Sequence, residues 1–190
     1  NRTFLDSFSM SSSNLQGYAA AIDRVQPRIV VGYVSALREL SRWLLEHQRG
    51  IWSPQAVIAG AEPLSASDRE LIEGAFRSPL FNTYGCREVM LIASECEYRE
   101  GLHVNADHLV VETVDNNGHS VCGEPGRVLL TDLHNYGMPL IRYENGDMAV
   151  SSQRQCSCGR CLPLLDRIEG RILDVIRTPD GRILPGEYFP

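Results

Sequence analysis

Residues 80–88 read LFNTYGCRE, and this stretch decides the fold class that we expect. Its first four residues, Leu80–Thr83, predict a short strand, and Gly85 then permits a sharp turn. Ligands of α/β proteins bind outside the carboxyl ends of the strands. There, Tyr84 could present an aromatic face to a base, and Glu88 could present an oxygen ligand to Mg²⁺. Taken alone, the stretch also fits a strand-to-helix turn with a half-buried Tyr and a solvated Glu.

The residues before this stretch alternate between helical and strand patterns. In order, we predict a helix over Leu15–Val25, a strand over Ile29–Val31, a helix from Val34 that ends at Gly50, and a strand over Ala56–Ala59. Ser67, with Glu70 three positions later, forms a capping-box pattern that predicts a helix running through Phe76. This alternation is typical of an α/β fold with parallel strands.

The residues after about Gly101 are richer in β-prone side chains and turn signals. We predict short strands over Leu109–Asp115, Gly126–Leu133, Pro139–Tyr143 and Gly146–Val150. Together they indicate an antiparallel, barrel-like β subdomain. We therefore expect an α/β portion over residues 1–100, a β-rich subdomain over 101–169, and the start of a further domain over 170–190.

The composition excludes several function classes. The 190 residues carry a net charge of -6, so the chain has no large electrostatic attraction for nucleic acid or anionic lipid. Its apolar runs fall far short of the roughly 20 residues of a membrane-spanning helix. The sequence opens at Asn1 without Met or a signal-peptide pattern and stops at Pro190, so we expect a fragment of something longer. Because secretory signals are missing and the cysteines are clustered, we expect metal-bound or reduced cysteines and a cytoplasmic protein.

Four motifs in a fixed order carry a family resemblance. They are GAEPL at 60–64, NTYGCRE at 82–88, RYENGD at 142–147 and GRILD at 170–174. This order resembles the adenylate-forming enzymes. GLH at 101–103, TDL at 131–133, MPLIRY at 138–143 and CSCGR at 156–160 resemble more narrowly the phenylacetate-CoA ligase branch and its capsule-biosynthesis relatives. The fold implied is the later part of the large N-terminal domain of such an enzyme, an α/β sheet portion plus a β-barrel-like subdomain.

The resemblance also implies an activity and a set of partners. A carboxylic acid would react with ATP to give an acyl-adenylate, and coenzyme A would then usually capture the acyl group. The implied cofactors are ATP or AMP, Mg²⁺ and coenzyme A, the substrate is a small-molecule carboxylate, and a homodimer is compatible with the family.

Residue roles follow from the same resemblance. Gly60, Ala61 and Glu62 would line the adenosine pocket, Tyr84 would stack on adenine, Glu88 would hold Mg²⁺, and Asn82 and Gly85 would lie near the acid. Asp147 would accept hydrogen bonds from both ribose hydroxyls, which suits a carboxylate with two acceptor oxygens. Arg171 would approach the ribose or phosphates, and Asp174 would act as the hinge before a small C-terminal domain. The alternatives are a turn residue that bonds its own backbone for Asp147, and a surface ion pair for Arg171 and Asp174.

The sequence departs from the family pattern in three places. Many members have Thr before the Mg²⁺-binding Glu, whereas Arg87 stands here and could contact phosphate as a cationic fork. No phosphate loop ending in Lys occurs before residue 60, and no Lys follows Asp174. We therefore expect these residues to need flanking sequence for the complete reaction. A zinc-stabilised nucleotide-binding or scaffolding module without turnover is the alternative function.

Cysteines cluster late in the chain. Cys156, Cys158 and Cys161 lie within six residues, and Cys96 with His103 adds a second pair of zinc-type ligands. Reduced, partly buried cysteines are the alternative interpretation. Some phenylacetate-CoA ligase relatives carry Cys, His, Cys and Cys at these positions. The resemblance therefore implies Cys96, His103, Cys156 and Cys158 as ligands of a structural Zn²⁺, with Cys161 as a bystander or a substitute.

Overall fold

The computed structural model describes residues 2–171, together with the backbone of residues 175–177 and 183–185. These residues form two compact units that divide between Asn82 and Thr83. Asp174 and the turn predicted over residues 179–181 lie outside the described residues. None of the described helices has the length and hydropathy of a transmembrane segment.

The first unit is α/β, as the alternating pattern predicts. Its helices are α1 (Ser12–Val25), α2 (Val34–Glu46) and α3 (Ala66–Phe76), and its strands are β1 (Ile29–Tyr33) and β2 (Ala56–Gly60), with β3 (Leu80–Cys86) beginning at its end. β1 and β2 are parallel, with Ile29 opposite Ala56, and the strand order is β1-β2-β3. A core of buried aliphatic and aromatic side chains, including Leu44, Ile72 and Phe76, holds these helices on the strands.

The start of α3 differs from the prediction. Ser65, and not Ser67, precedes the first turn, and its hydroxyl accepts a hydrogen bond from the backbone N–H of Asp68 at 3.0 Å. The Asp68 carboxylate in turn accepts the Ser65 hydroxyl proton at 2.8 Å. The helix therefore begins two residues earlier than the capping-box pattern indicated, because Ser65 and Asp68 offer the same i, i+3 spacing as Ser67 and Glu70.

The second unit is an antiparallel sheet. Its strands are β3, β4 (Met90–Glu95), β5 (Leu102–Val104), β6 (Leu109–Val114), β7 (Pro125–Asp132), β8 (Tyr143–Ser152) and β9 (Leu164–Arg171). Their order is β3-β4-β5-β9-β8-β7-β6. β10 (Val175–Arg177) and β11 (Ile183–Pro185) form a separate antiparallel pair. The mixed α/β fold with a β-rich second part is thus confirmed.

One alternative and one local prediction in the second unit are wrong. The strand-to-helix turn, which was the alternative for the Tyr84 motif, is not found: β3 continues through Cys86 and turns back as β4, so Tyr84 lies inside a strand opposite Ala93. Residues 139–142 form no strand, and β8 begins only at Tyr143. Pro139 has no N–H for a strand ladder, and Arg142 adopts a left-handed φ of 49°, which interrupts an extended chain.

Candidate functional site

The Glu88 carboxylate lies exposed in the turn between β3 and β4. The Tyr143 hydroxyl, at the start of β8, donates a hydrogen bond to Glu88 Oε1 at 2.9 Å. The backbone N–H of Glu88, the Cys86 thiol and the Tyr143 hydroxyl together lower the pKa of the Glu88 carboxyl. Glu88 is therefore ionised at neutral pH and can offer an oxygen ligand to a cation. Tyr143 holds one of its oxygens, and the side chain is open to solvent.

A second carboxylate, Asp147, is held in the middle of β8. Its Oδ2 accepts a hydrogen bond from the Tyr84 hydroxyl at 2.8 Å and another from Asn145 Nδ2 at 2.7 Å. The same Asn145 amide donates to the Tyr84 hydroxyl oxygen at 2.8 Å, so that each of the three side chains is hydrogen-bonded to the other two. Since Tyr84 and Asn145 are both buried, the position of Oδ2 is strongly constrained.

Arg171 completes this site from β9. It is the register partner of Asp147, and its Nε lies 3.3 Å from Asp147 Oδ1. Its Nη2 donates to the backbone carbonyl of Asn145 at 2.8 Å. Gly146, with φ of 83°, lies beneath the guanidinium, and a Cβ there would be 3.4 Å from Nη2. The glycine therefore lets Arg171 reach both Asp147 and the carbonyl.

Burial and hydrogen bonding both shift the pKa values of these groups. Burial raises the pKa of Asp147, and the Tyr84 hydroxyl, Arg171 and Asn145 offset only part of that effect. Burial and the Asp147 charge also raise the pKa of Tyr84, so its hydroxyl remains a proton donor. Hydrogen bonding to Glu88 raises the pKa of Tyr143. Both tyrosines are thus neutral donors, each bonded to one carboxylate.

The predicted adenosine-pocket residues lie in the first unit. Gly60 ends β2, and Ala61 has a left-handed φ of 67° that is uncommon for a residue with a Cβ. Glu62 bonds the first turn of α2: its Oε1 accepts the Ser35 hydroxyl proton at 2.8 Å, and its Oε2 accepts the Ser35 backbone N–H. Because the preceding Tyr33 offers no side-chain cap, Glu62 satisfies a free N–H at that helix terminus.

The remaining predicted residues occupy β3 and its turn. Asn82 lies half-buried on β3, and Arg87 lies exposed beside Glu88. Gly85 marks a register shift between β3 and β4, and a Cβ there would lie only 2.3 Å from the Met90 carbonyl oxygen. Gly85 is therefore required by the close approach of the two strands.

The structure brings Cys96, His103, Cys156 and Cys158 together. All four ligand atoms lie within 4.8 Å of one another. Cys96 Sγ is 3.5 Å from Cys156 Sγ, and Cys158 Sγ is 3.4 Å from His103 Nε2. Zn–S and Zn–N bonds of tetrahedral sites imply ligand–ligand edges of about 3.5–3.8 Å. The donor set and its spacing therefore fit a closed tetrahedral zinc site, and the cluster found among the described residues leaves out Cys161.

Hydrogen bonds from the chain itself support the sulfur atoms. The backbone N–H of Tyr98 points at Cys96 Sγ at 3.4 Å, and that of Arg160 points at Cys158 Sγ at 3.5 Å. Burial opposes ionisation of Cys158, but the backbone N–H and side chain of Arg160 contribute to a net lowering of its pKa. Arg160 also bonds Glu97 at 2.8 Å, which ties the loop after β4 to the loop before β9.

Sequence reasoning missed Tyr143 and Asn145, although both belong to the RYENGD motif. Neither side chain carries a charge, and the sequence does not show that Tyr143 faces Glu88 or that Asn145 bridges Tyr84 and Asp147. The signal available was their position: Asn145 is two residues from Asp147, which is the spacing of side chains on one face of a strand.

Comparisons with known proteins identify similar ligases. No family model matches the sequence. Phenylacetate-coenzyme A ligase of Thermus thermophilus is 32% identical over 138 residues, which cover 70% of this chain and 31% of the relative. Phenylacetate-coenzyme A ligase of Escherichia coli K12 is 29% identical over 187 residues, covering 94% of this chain and 42% of that enzyme.

The fold comparison points the same way. A crystal structure of 2-hydroxyisobutyryl-CoA ligase, in the postadenylation state with R3-HIB-AMP, superposes with a TM-score of 0.80 at 22% identity. The match covers 92% of this chain and 39% of that structure. The chain thus spans less than half the length of each of these relatives. The chain shares the fold of 2-hydroxyisobutyryl-CoA ligase, and by its sequence it belongs to the phenylacetate-CoA ligase-like branch of the adenylate-forming enzymes.

Proposed function

We propose that the protein containing this chain activates a carboxylic acid with ATP as an acyl-adenylate and then transfers the acyl group to coenzyme A. The observation that carries the proposal is the pair of carboxylates, Glu88 and Asp147, each held by a tyrosine hydroxyl beside the Arg171 guanidinium. The phenylacetate-coenzyme A ligase names of two relatives support the reaction class.

The chemistry needs positioning and charge neutralisation more than a general base. The substrate carboxylate is already ionised at neutral pH, so its oxygen can attack the α-phosphorus of ATP while the bond to the pyrophosphate oxygen breaks. The thiol sulfur of coenzyme A then attacks the acyl carbon, AMP leaves, and the thiol proton passes to solvent. Bound Mg²⁺ would supply a Lewis acid for the phosphate charge.

Each site residue has a distinct task in this proposal. Glu88 is the ionised, exposed oxygen donor and would hold the Mg²⁺ of ATP. Asp147 Oδ1, which also faces Arg171, would accept hydrogen bonds from the ribose hydroxyls, and the Arg171 guanidinium would approach the ribose or the phosphates. Gly60, Ala61 and Glu62 would line the adenosine pocket, with Glu62 also fixing the start of α2.

We also propose a structural Zn²⁺ bound by Cys96, His103, Cys156 and Cys158. The short distances among the three Sγ atoms and the His103 ring nitrogen support this site. Four protein ligands leave no open coordination position, so the metal would crosslink the loops after β4 and before β9 and take no part in the reaction.

Pyrophosphate exchange into ATP tests the proposal on the full-length protein with a panel of aryl and aliphatic acids. We expect acid-dependent exchange, and we expect Asp147→Asn to weaken ATP binding about 10- to 100-fold because a charged acceptor is lost. Asp107→Asn, at an exposed turn residue, is the matched control. Absence of exchange with every acid, despite measurable ATP binding, would contradict the adenylation proposal.

That negative result would favour the second candidate, a zinc-stabilised nucleotide-binding or scaffolding module without turnover. The specific observation behind it is the four-ligand cluster, which serves stability and needs no reaction. The division at residues 100 and 170, the hinge at Asp174, a homodimer and a cytoplasmic location all stay predictions from the sequence.

A further inference from the structure

We propose that the Tyr84 hydroxyl is a positioning group that orients Asp147 so that the nucleotide site distinguishes ribose from 2′-deoxyribose. The inference rests on the proposed function, since it assigns how the same site recognises ATP. It separates two parts of one side chain: the ring, which is buried in an apolar cluster, and the hydroxyl, which bonds Asp147.

The two oxygens of Asp147 have different surroundings. Oδ2 already accepts two short hydrogen bonds, from the Tyr84 hydroxyl at 2.8 Å and from Asn145 Nδ2 at 2.7 Å. Two acceptor positions of that oxygen are therefore filled by the protein. Among residues 2–171, the contact found for Oδ1 is the longer 3.3 Å approach of the exposed Arg171 side chain. The hydroxyls of a ribose must then donate mainly to Oδ1. The contacts to Oδ2 determine the direction in which Oδ1 points.

Three strands fix this direction. Tyr84 comes from β3, Asn145 and Asp147 come from β8, and Arg171 comes from β9. The Asn145 side chain also accepts the backbone N–H of Asp147 at 3.1 Å, so its amide cannot rotate freely to replace the tyrosine hydroxyl. Without the hydroxyl, Oδ2 keeps one donor instead of two, and the carboxylate gains freedom to rotate about its Cβ–Cγ bond.

Replacing Tyr84 with Phe removes the hydroxyl and its two hydrogen bonds, the one to Asp147 Oδ2 and the one from Asn145 Nδ2. The Tyr84 ring is buried in an apolar cluster with Val89, Ile92 and Ala93, so Phe fills the same space. The lost hydroxyl leaves Asn145 Nδ2 still bonded to Asp147 Oδ2. The variant therefore keeps the buried ring and loses the group that orients the carboxylate.

The same change alters the pH response of the site. The groups that face Asp147 are Tyr84 from β3, Asn145 from β8, Arg171 from β9 and the more distant Glu88 charge. The Tyr84 hydrogen bond lowers the pKa of Asp147 against the rise caused by burial, so its removal raises that pKa further. As the pH falls, Asp147 of the variant is therefore protonated and loses its charge at a higher pH than in the wild type. We expect ATP binding to weaken at a correspondingly higher pH.

The test compares ATP and 2′-deoxy-ATP binding to the full-length protein by isothermal titration calorimetry, for wild type, Tyr84→Phe and Tyr18→Phe. Tyr18 is the matched control because its hydroxyl donates only to the backbone carbonyls of Asp6 and Ser9, away from Asp147. We expect Tyr84→Phe to weaken ATP binding about tenfold and 2′-deoxy-ATP binding much less, with ATP binding lost at a higher pH. Tyr18→Phe should change neither the ratio of the ATP and 2′-deoxy-ATP affinities nor the pH at which ATP binding is lost.

The outcomes separate the two levels of the proposal. Equal weakening of both nucleotides by Tyr84→Phe, or an unchanged preference for ATP, overturns the positioning role while leaving the proposed function standing. A wild-type protein that binds neither nucleotide contradicts the proposed function itself. If Tyr84→Phe is too unstable to assay, Asn145→Ser removes the other donor to Oδ2 and must also reduce the preference for ATP.

Discussion

Gly85 offers the sharpest test of how the β3–β4 hairpin holds the site. A Cβ at this position would lie 2.3 Å from the Met90 carbonyl oxygen and 3.4 Å from Leu91 Cα. Carbon–oxygen contacts normally stay above about 3.3 Å, so Gly85→Ala must push the strands apart by ~1 Å. The obstructing atom is backbone, and Met90 already has a left-handed φ of 63°, so no side-chain rotation relieves the contact.

The expected cost follows from this geometry. Overpacking in a well-packed structure costs about 1–3 kcal/mol. The displaced strands also weaken the ladder at the Gly85–Leu91 and Cys86–Met90 pairs, where each lost hydrogen bond costs about 1 kcal/mol. We therefore expect Gly85→Ala to lower the free energy of unfolding by about 2–4 kcal/mol, and to weaken ATP binding because Tyr84 and Glu88 flank the displaced segment.

Urea unfolding followed by far-UV circular dichroism measures this cost. Gly74→Ala is the matched control, since a Cβ at Gly74 in α3 meets no atom within 4 Å. Alanine is the better helix former, so the control should be stabilised by about 0.5–1 kcal/mol. A Gly85→Ala protein within 0.5 kcal/mol of wild type, with unchanged ATP affinity, would refute the close-approach argument.

Three further outcomes follow from the cluster and the helix caps. Cys158→Ser should reduce the zinc content measured by atomic emission and lower the unfolding midpoint, whereas Cys122→Ser, outside the cluster, should retain the metal; zinc-free wild-type protein would contradict the site. Ser65→Ala should cost about 1 kcal/mol in urea unfolding and Ser67→Ala only a few tenths, and the reverse order would contradict the observed cap. Glu62→Ala should cost about 1 kcal/mol by removing the bond to the first turn of α2, and an unchanged midpoint would count against that cap.

The sequence predicts the first unit better than the second for a physical reason. Amphipathic helices such as α2 bury Leu37, Leu40 and Leu44 at helical spacing, so periodicity alone identifies them. β5 carries no comparable signal, because it has three residues and one of its pairing partners lies far along the chain: Leu102 pairs with Leu165. A short strand defined by distant partners is recognisable only once the fold is known.

The site shows the same division between local and distant information. Glu88 and Asp147 are identifiable from motifs and resemblance, since a carboxylate is the expected ligand of a metal ion and the expected hydrogen-bond acceptor for a diol. Their tyrosine partners are not, because the Tyr84–Asp147 and Tyr143–Glu88 contacts join residues that are 63 and 55 positions apart. The zinc-type cluster stands between these cases: thiols and imidazole are conspicuous in sequence, yet only the fold shows which of them lie together.

The two carboxylates of the site are similar groups that their surroundings make different. Each accepts a tyrosine hydroxyl, yet burial raises the pKa of Asp147 whereas hydrogen bonds lower that of Glu88. Glu88 is an exposed carboxylate whose charged form is favoured by its hydrogen bonds, which suits a cation ligand. Asp147 has one oxygen held by two donors, which suits an acceptor that must be oriented toward a diol. Exchanging the two tasks would place the metal on the more buried group, whose charged form burial disfavours.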